Sequence, residues 1–328
     1  MKKTFLVLFA VVLTGASFAH PGIGIVCDSR GNIFYTDLKN IWKISPDGRK
    51  TIAVANVHSH ELYLDKHDNL YGEHLWYNGE RLNTWEHYVW CLRNNSVLDT
   101  AVPRSAAFNN DYSFVRDTAG NIYWAERFKT YRFKKRTLSG LTSTIAEGKF
   151  HEIGWMYCTA DGIIYFIDLL DLYKLDKNGQ ITLIGSHLAS ISSSDDGRHS
   201  LYGIWTDKQD NVYVAILANN HIKKIAPDGT AKIILQSPEG WYPTSGVFDK
   251  KGNLWLMEGD HANNIRVRKI TPDMLHQPAA IKSSLSFTLI TEALLFAGIA
   301  LVTSASFIKL FSRLREFALR QEGVYQKS

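Results

Sequence analysis

Histidines and carboxylates recur at matched places along this chain. His20, His58 with His60, His151 with Glu152, and His199 each stand ahead of an apolar run. Asp37, Glu73, Glu126, Asp168 and Glu258 each close the apolar run that follows a turn. Gathered on one rim, such groups suit three roles. They can hold a divalent metal, imidazole favouring zinc and carboxylate favouring calcium. They can act as general acid and base on a substrate. Alternatively, the acids can hydrogen-bond the backbone of neighbouring loops at strand ends. The residues that would share a metal are His60, His151, His199, Glu73, Glu126, Asp168 and Glu258.

A repeating fold is needed to bring such distant residues together. The chain repeats one pattern six times: an apolar run, an Asp, a Gly/Asn turn and a second apolar run. The first copy is Ile25-Val26-Cys27-Asp28, Gly31-Asn32 and Ile33-Phe34-Tyr35-Thr36-Asp37; the last is Val247-Phe248-Asp249, Gly252-Asn253 and Leu254-Trp255-Leu256-Met257-Glu258. The turn positions Asn32, Asn69, Asn121, Gly162, Asn211 and Asn253 step by 37, 52, 41, 49 and 42 residues. A period in the forties with strand–turn–strand content predicts an all-β, six-bladed propeller. Strand one descends from the mouth, the turn lies at the bottom, and strand two climbs back to the carboxylate. The acids and the histidine segments therefore share the top face. Blade five breaks the pattern with Ile216 in place of the acid. Asn109, Asn110 and Asp111 replace the histidine in blade three, and Trp241 and Tyr242 replace it in blade six.

Blade two carries an insertion from Glu73 to Val89, read as a top-face loop between strands two and three. Its Trp76, Tyr77, Trp85 and His87, with Trp241 and Tyr242, are the candidate ligand-binding residues: aromatic walls suit sugars and apolar ligands. A second loop, Ser186 to Arg198, is Ser/Asp-rich and is expected to be mobile.

The motif Gly31-Asn32-Ile33-Phe34-Tyr35, with Ile41-Trp42-Lys43-Ile44-Ser45-Pro46-Asp47-Gly48 and Ile222-Lys223-Lys224-Ile225-Ala226-Pro227-Asp228-Gly229, resembles the NHL repeat. Over about residues 20–275 the chain resembles the SMP-30/gluconolactonase-like propellers. That resemblance implies a central divalent ion held by a Glu, an Asn and an Asp ahead of inner strands. The corresponding places here are His20 or Pro21, Tyr202, and Thr244 or Ser245, so this ligand set is missing. The NHL-type amidating lyases hold zinc with histidines from inner-strand starts, a placement that His60, His151 and His199 resemble.

The ends are separate from the propeller at 20–275. Residues 1–19 have a basic start at Lys2-Lys3, an apolar core and a small-residue exit at Ala16-Ser17-Phe18-Ala19, the pattern of a signal peptide. After a linker at 276–284, residues 285–308 carry one charge, Glu292. As a helix they reach about 36 Å, enough to cross a bilayer core of roughly 30 Å. Lys309, Arg313, Arg315 and Arg320 place the tail at 309–328 in the cytoplasm. The expected protein is a single-pass membrane protein with its propeller in the periplasm or outside the cell. Ala293, Ala297, Ala300 and Ser304 form a small-residue stripe suited to self-association of the helix. Cys27, Cys91 and Cys158 are odd in number and fall apart in the repeat, so no disulfide is expected. The basic clusters are short and no nucleic-acid motif occurs. Two functions fit these features. One is a metal-dependent hydrolase or lyase, using zinc or calcium on a small molecule or glycan at the mouth. The other is a non-catalytic scaffold for a protein or glycan.

Overall fold

The structure, a computed structural model, describes residues 22–276 apart from 80, 83, 106–114 and 193–194. The segments expected to be signal peptide, membrane helix and tail, with His20, Pro21 and Asn109 to Asp111, lie outside the described residues. No helix among the described residues is long and apolar enough to cross a membrane.

Six antiparallel sheets follow one another along the chain. Blade one is β1 (Ile25–Cys27), β2 (Ile33–Thr36), β3 (Asn40–Ile44) and β4 (Lys50–Ala55). Blade two is β5 (Leu62–Leu64), β6 (Leu70–Tyr77), β7 (Trp85–Leu92) and β8 (Leu98–Ser105). Blade three is β9 (Val115–Arg116), β10 (Ile122–Arg127), β11 (Tyr131–Arg136) and β12 (Thr142–Gly148). Blade four is β13 (Ile153–Cys158), β14 (Ile164–Asp168), β15 (Asp171–Leu175) and β16 (Ile181–Gly185). Blade five is β17 (Leu201–Thr206), β18 (Val212–Ile216), β19 (His221–Ile225) and β20 (Ala231–Gln236). Blade six has three strands among the described residues, β21 (Tyr242–Phe248), β22 (Leu254–Gly259) and β23 (Ile265–Ile270), followed by the short helix α1 (Pro272–His276).

The first turn of each blade shows what the repeated Asp does. In blade one the Asn32 backbone N–H donates to Asp28 Oδ1 at 2.7 Å and its side-chain amide to Oδ2 at 2.6 Å. The same pairing joins Asp65 to Asn69, Asp117 to Asn121, Asp207 to Asn211 and Asp249 to Asn253. A ring six residues after the Asp completes the cap, as where Tyr213 donates to Asp207 at 2.8 Å and the Trp255 indole donates to Asp249 at 3.1 Å. Blade four uses Thr159 instead, whose hydroxyl accepts the Ile163 N–H at 2.9 Å. These bonds satisfy turn backbone that would otherwise be left unpaired.

Burial is greatest at the second strands; the innermost β1, β5 and β9 are partly buried. Every residue of β2, β14 and β18 is buried, because second strands are covered on both faces by neighbouring blades. They therefore read as continuous apolar runs and not as alternation. The outer β4 and β12 are mostly exposed. Ile25, Ile33 and Tyr35 of blade one pack with Met257 of blade six, and Lys250 donates to the Ser29 carbonyl at 2.6 Å, closing the ring. The six inner strands surround a central channel of about 390 Å³.

The Glu73–Val89 insertion is not a loop. β6 and β7 run through most of it, pairing Glu73 with Val89 and continuing to Tyr77 with Trp85. Each has 8 residues where β18 and β19 have 5, so the hairpin stands about 10 Å taller at roughly 3.4 Å per residue. Apolar and aromatic residues favour such strand pairing over an irregular loop. Part of the Ser186–Arg198 segment is also held in place. Leu188 and Ala189 are buried, and the Ser190 N–H donates to Asn219 Oδ1 at 2.8 Å.

Candidate functional site

Four of the five acids sit at or near the ends of their second strands and Glu73 falls inside β6, but each is engaged locally. Asp37 accepts the Lys39 and Asn40 backbone N–H groups at 2.9 and 2.6 Å and the Trp42 indole at 2.7 Å. Burial alone would raise its carboxyl; the Trp42 and backbone hydrogen bonds outweigh it and hold the group below its usual range. Glu126 accepts the Trp124 indole at 3.0 Å. Asp168 takes the His151 and Glu152 backbone N–H groups at 2.9 and 2.7 Å. Glu258 is 0% exposed. It accepts Arg266 at 2.9 Å and two bonds from Arg268, at 2.8 and 2.9 Å.

Two of the three histidines expected to share a metal are exposed. The His151 side chain is 82% exposed, and its Nδ1 lies 3.2 Å from Asp168 Oδ2 of its own blade. His199 is also exposed. His60 is different: its Nε2 lies 3.0 Å from His58 Nε2. The structure therefore does not bring His60, His151, His199, Glu73, Glu126, Asp168 and Glu258 onto one point. Among the described residues no three His, Cys, Asp or Glu side chains converge as a metal site. Matching repeat positions put these residues on one rim, but local capping partners turn the acids back into their own blades.

The ligand-binding candidates divide in the same way. Tyr77 is 39% exposed near the tip of the tall hairpin. Trp76 and Trp85 sit in its paired strands, and their side chains lie outside the description. Trp241 carries the Arg266 guanidinium 3.9 Å above its ring, and buried Tyr242 donates to the Asp260 carbonyl at 2.8 Å, so both are packed on blade six. His87 projects from β7 onto Glu73 of β6, and its Nδ1 bonds Glu73 Oε1.

That pair opens onto a small cavity of about 70 Å³ between blades two and three, walled in part by Val89, Val102 and Ile122. Glu61, Tyr63 and Arg116 also line it, and Arg116 lines the central channel as well. The Arg116 guanidinium stands 4.3 Å over the Tyr63 ring, itself stacked on Tyr71 at 4.8 Å. The buried Tyr63 hydroxyl has no hydrogen-bond partner among the described residues. Burial pushes the Glu73 carboxyl up, against the opposing pull of His87 and Arg116. A carboxylate on Nδ1 fixes the imidazole tautomer and directs its basic lone pair to Nε2. Sequence reading missed Arg116, although a guanidinium in an inner strand next to the apolar Val115 was a visible signal. It also missed Arg266 and Arg268, whose spacing of two puts both on the strand face that meets Glu258.

At the axis, Cys27 and Cys158 line the channel from blades one and four. All three cysteines are free thiols. Burial, with the Asp28 charge second, pushes Cys27 up to about 11. Tyr202, Thr244 and Ser245 are buried, and Thr244 donates to the Met257 carbonyl at 3.3 Å. The inner-strand ring thus supplies no carboxylate/amide set at these three places.

The chain is a six-bladed β-propeller. Solved structures with the same architecture include a luciferin-regenerating enzyme (14% identity over 76% of this chain and 91% of that one, TM-score 0.54). Another is an auxiliary nutrient binding protein from Bacteroides thetaiotaomicron (12%, 76% and 69%, TM-score 0.53). A third is a gluconolactonase from Xanthomonas campestris (12%, 74% and 84%, TM-score 0.51). At these identities the likeness establishes the fold, which hosts unrelated activities. No family model and no curated protein matches the chain.

Proposed function

We propose that this protein is a ligand-binding propeller that works at the top of blade two, as a hydrolase or lyase using Glu73 and His87 for proton transfer. The observation that carries this reading is the His87 Nδ1–Glu73 Oε1 bond, at side-chain exposures of 12% and 20%, beside a small cavity that Arg116 also lines. A carboxylate that orients an imidazole is the arrangement of a general base. The buried carboxylate stabilises the imidazolium formed when Nε2 takes a proton. Arg116, lining both the cavity and the channel, offers charge to an anionic intermediate. The substrate class is a small ester, lactone or glycan. Residues 1–19 and 285–308 support an exported, membrane-anchored propeller, which carbonate extraction and protease protection of the tail would test. A divalent metal belongs to this proposal, though not one shared by all seven residues that the repeat pattern selected.

The test is turnover of a panel of aliphatic and aromatic lactones, esters and uronic-acid glycosides by the full chain. His87→Gln should lower kcat at least a hundredfold, the lower range for a positioned acid–base group. Equal turnover by wild type and His87→Gln would sink the reading. The tall hairpin with exposed Tyr77 favours a second reading, a non-catalytic scaffold for a protein or glycan. That reading predicts ligand retention unchanged by His87→Gln and lost in Tyr77→Ser.

A further inference from the structure

The segment ahead of β5, buried or half-buried between two blades, is densely hydrogen-bonded. The Val57 N–H donates to the Lys39 carbonyl at 3.0 Å. The His58 N–H donates to His74 Nδ1 at 3.0 Å, and the His58 carbonyl accepts the Leu75 N–H at 3.0 Å. The Ser59 carbonyl accepts the Thr36 hydroxyl at 2.7 Å, and the Ser59 hydroxyl accepts the Trp90 indole at 3.0 Å. The His60 carbonyl accepts the Ile23 and Gly24 N–H groups at 2.9 and 2.7 Å. Blades one and two therefore clamp three consecutive residues, His58-Ser59-His60.

The clamp holds two rings. His58 Nδ1 lies 3.0 Å from the Leu38 carbonyl, so that nitrogen carries the proton and Nε2 carries the lone pair. Leu38 has φ 65, a left-handed conformation that disfavours a side chain by about 1–2 kcal/mol. Its N–H bond to the Thr36 hydroxyl at 3.0 Å and its carbonyl bond to His58 hold it there. The His60 ring stands at 78° to the His58 ring with centroids 4.8 Å apart, Nε2 to Nε2 at 3.0 Å. Two metal–imidazole bonds of about 2.0–2.1 Å, meeting at square-planar to tetrahedral angles, separate their nitrogens by about 2.8–3.4 Å. The second ring nitrogen of His58 on a carbonyl is the usual outer-shell support of a metal-bound imidazole.

We propose that His58 and His60 chelate a transition-metal dication of the zinc class through their Nε2 atoms. Neutral imidazoles suit zinc, copper or nickel and not calcium. Two protein ligands leave the remaining coordination positions to water or to a bound ligand. The inference shares with the proposed function the top of blade two and a divalent metal, but not the Glu73–His87 proton transfer. Zinc binding is read without turnover, so failure of either leaves the other standing.

The test titrates chelator-stripped full-length protein with zinc chloride by calorimetry and with Co²⁺ by visible absorption. One zinc per chain is expected, bound at least tenfold more weakly in H58Q and in H60Q, with H151Q unchanged. H60Q keeps the His58–Leu38 bond, so weakened binding at unchanged circular dichroism separates a lost ligand from a lost fold. No stoichiometric zinc in the wild type, unaltered binding in the H58Q/H60Q double variant, or equal weakening in H151Q would overturn the proposal.

Discussion

Arg268 grips Glu258 with two parallel bonds, Nε to Oε2 at 2.8 Å and Nη2 to Oε1 at 2.9 Å, around a carboxylate with no solvent exposure. Arg266 adds a third bond and lies over Trp241. Removing one side of such a buried pair leaves the other charge uncompensated. Glu258→Ala should therefore destabilise the propeller by about 3–5 kcal/mol, read as a lower denaturant midpoint. A loss no larger than that of an exposed surface substitution would contradict this account.

Stability should fall on the acid side. For Glu258 and Asp207, burial opposes ionisation, but the Arg268 bonds and the Tyr213 and Asn211 bonds outweigh it, and both carboxyls sit below their unfolded values of 4.5 and 3.8. A depressed folded pKa contributes stability that is present above the unfolded value and lost as pH falls through the folded one. Glu73 runs the other way. Its raised carboxyl contributes stability present below 4.5 and lost as pH rises through its folded value. Asp207→Asn should cost about 1–3 kcal/mol at pH 7 and converge on the wild type in acid. Parallel curves at all pH values would count against the Asp207 cap.

The hydrogen bond to His87, ahead of the Arg116 charge, holds the Glu73 carboxyl down against burial. His87→Gln should raise the carboxyl further. Isotope-edited infrared spectra should then show the protonated Glu73 carbonyl band persisting to higher pH than in the wild type.

Gly72 lies against Trp90, where a Cβ would come 2.2 Å from Cζ2. The indole is 2% exposed and anchors Ser59, so it has little room to move. Gly72→Ala should destabilise by about 1–3 kcal/mol, as overpacking does. Because the same indole holds the His58–His60 segment, zinc affinity should fall with it.

The thiols should be slow to react. Burial keeps Cys27, Cys91 and Cys158 protonated at neutral pH. Ellman's reagent should find three thiols per chain only after denaturation, Cys91 being fully buried. Fewer than three would reveal a disulfide.

Much of the architecture was legible in the chain. The Asp-to-Asn spacing repeats because the turn needs that pair, and the all-apolar second strands repeat because neighbouring blades cover both their faces. Type and spacing alone thus determined six blades, a common top rim and the separation of the cysteines. They could not determine which partner each rim group meets. Asp168 turns to the backbone of residues 151–152, Glu258 to Arg266 and Arg268, and Glu73 to His87. His151 and His60 look alike in the repeat, yet one ring stands in solvent and the other meets His58. The hairpin's extra height was equally hidden, since strand pairing across it depends on register. A repeat records where a side chain starts. Packing between blades decides where its polar atoms end, because hydrogen bonds act over about 3 Å and their partners come from other strands.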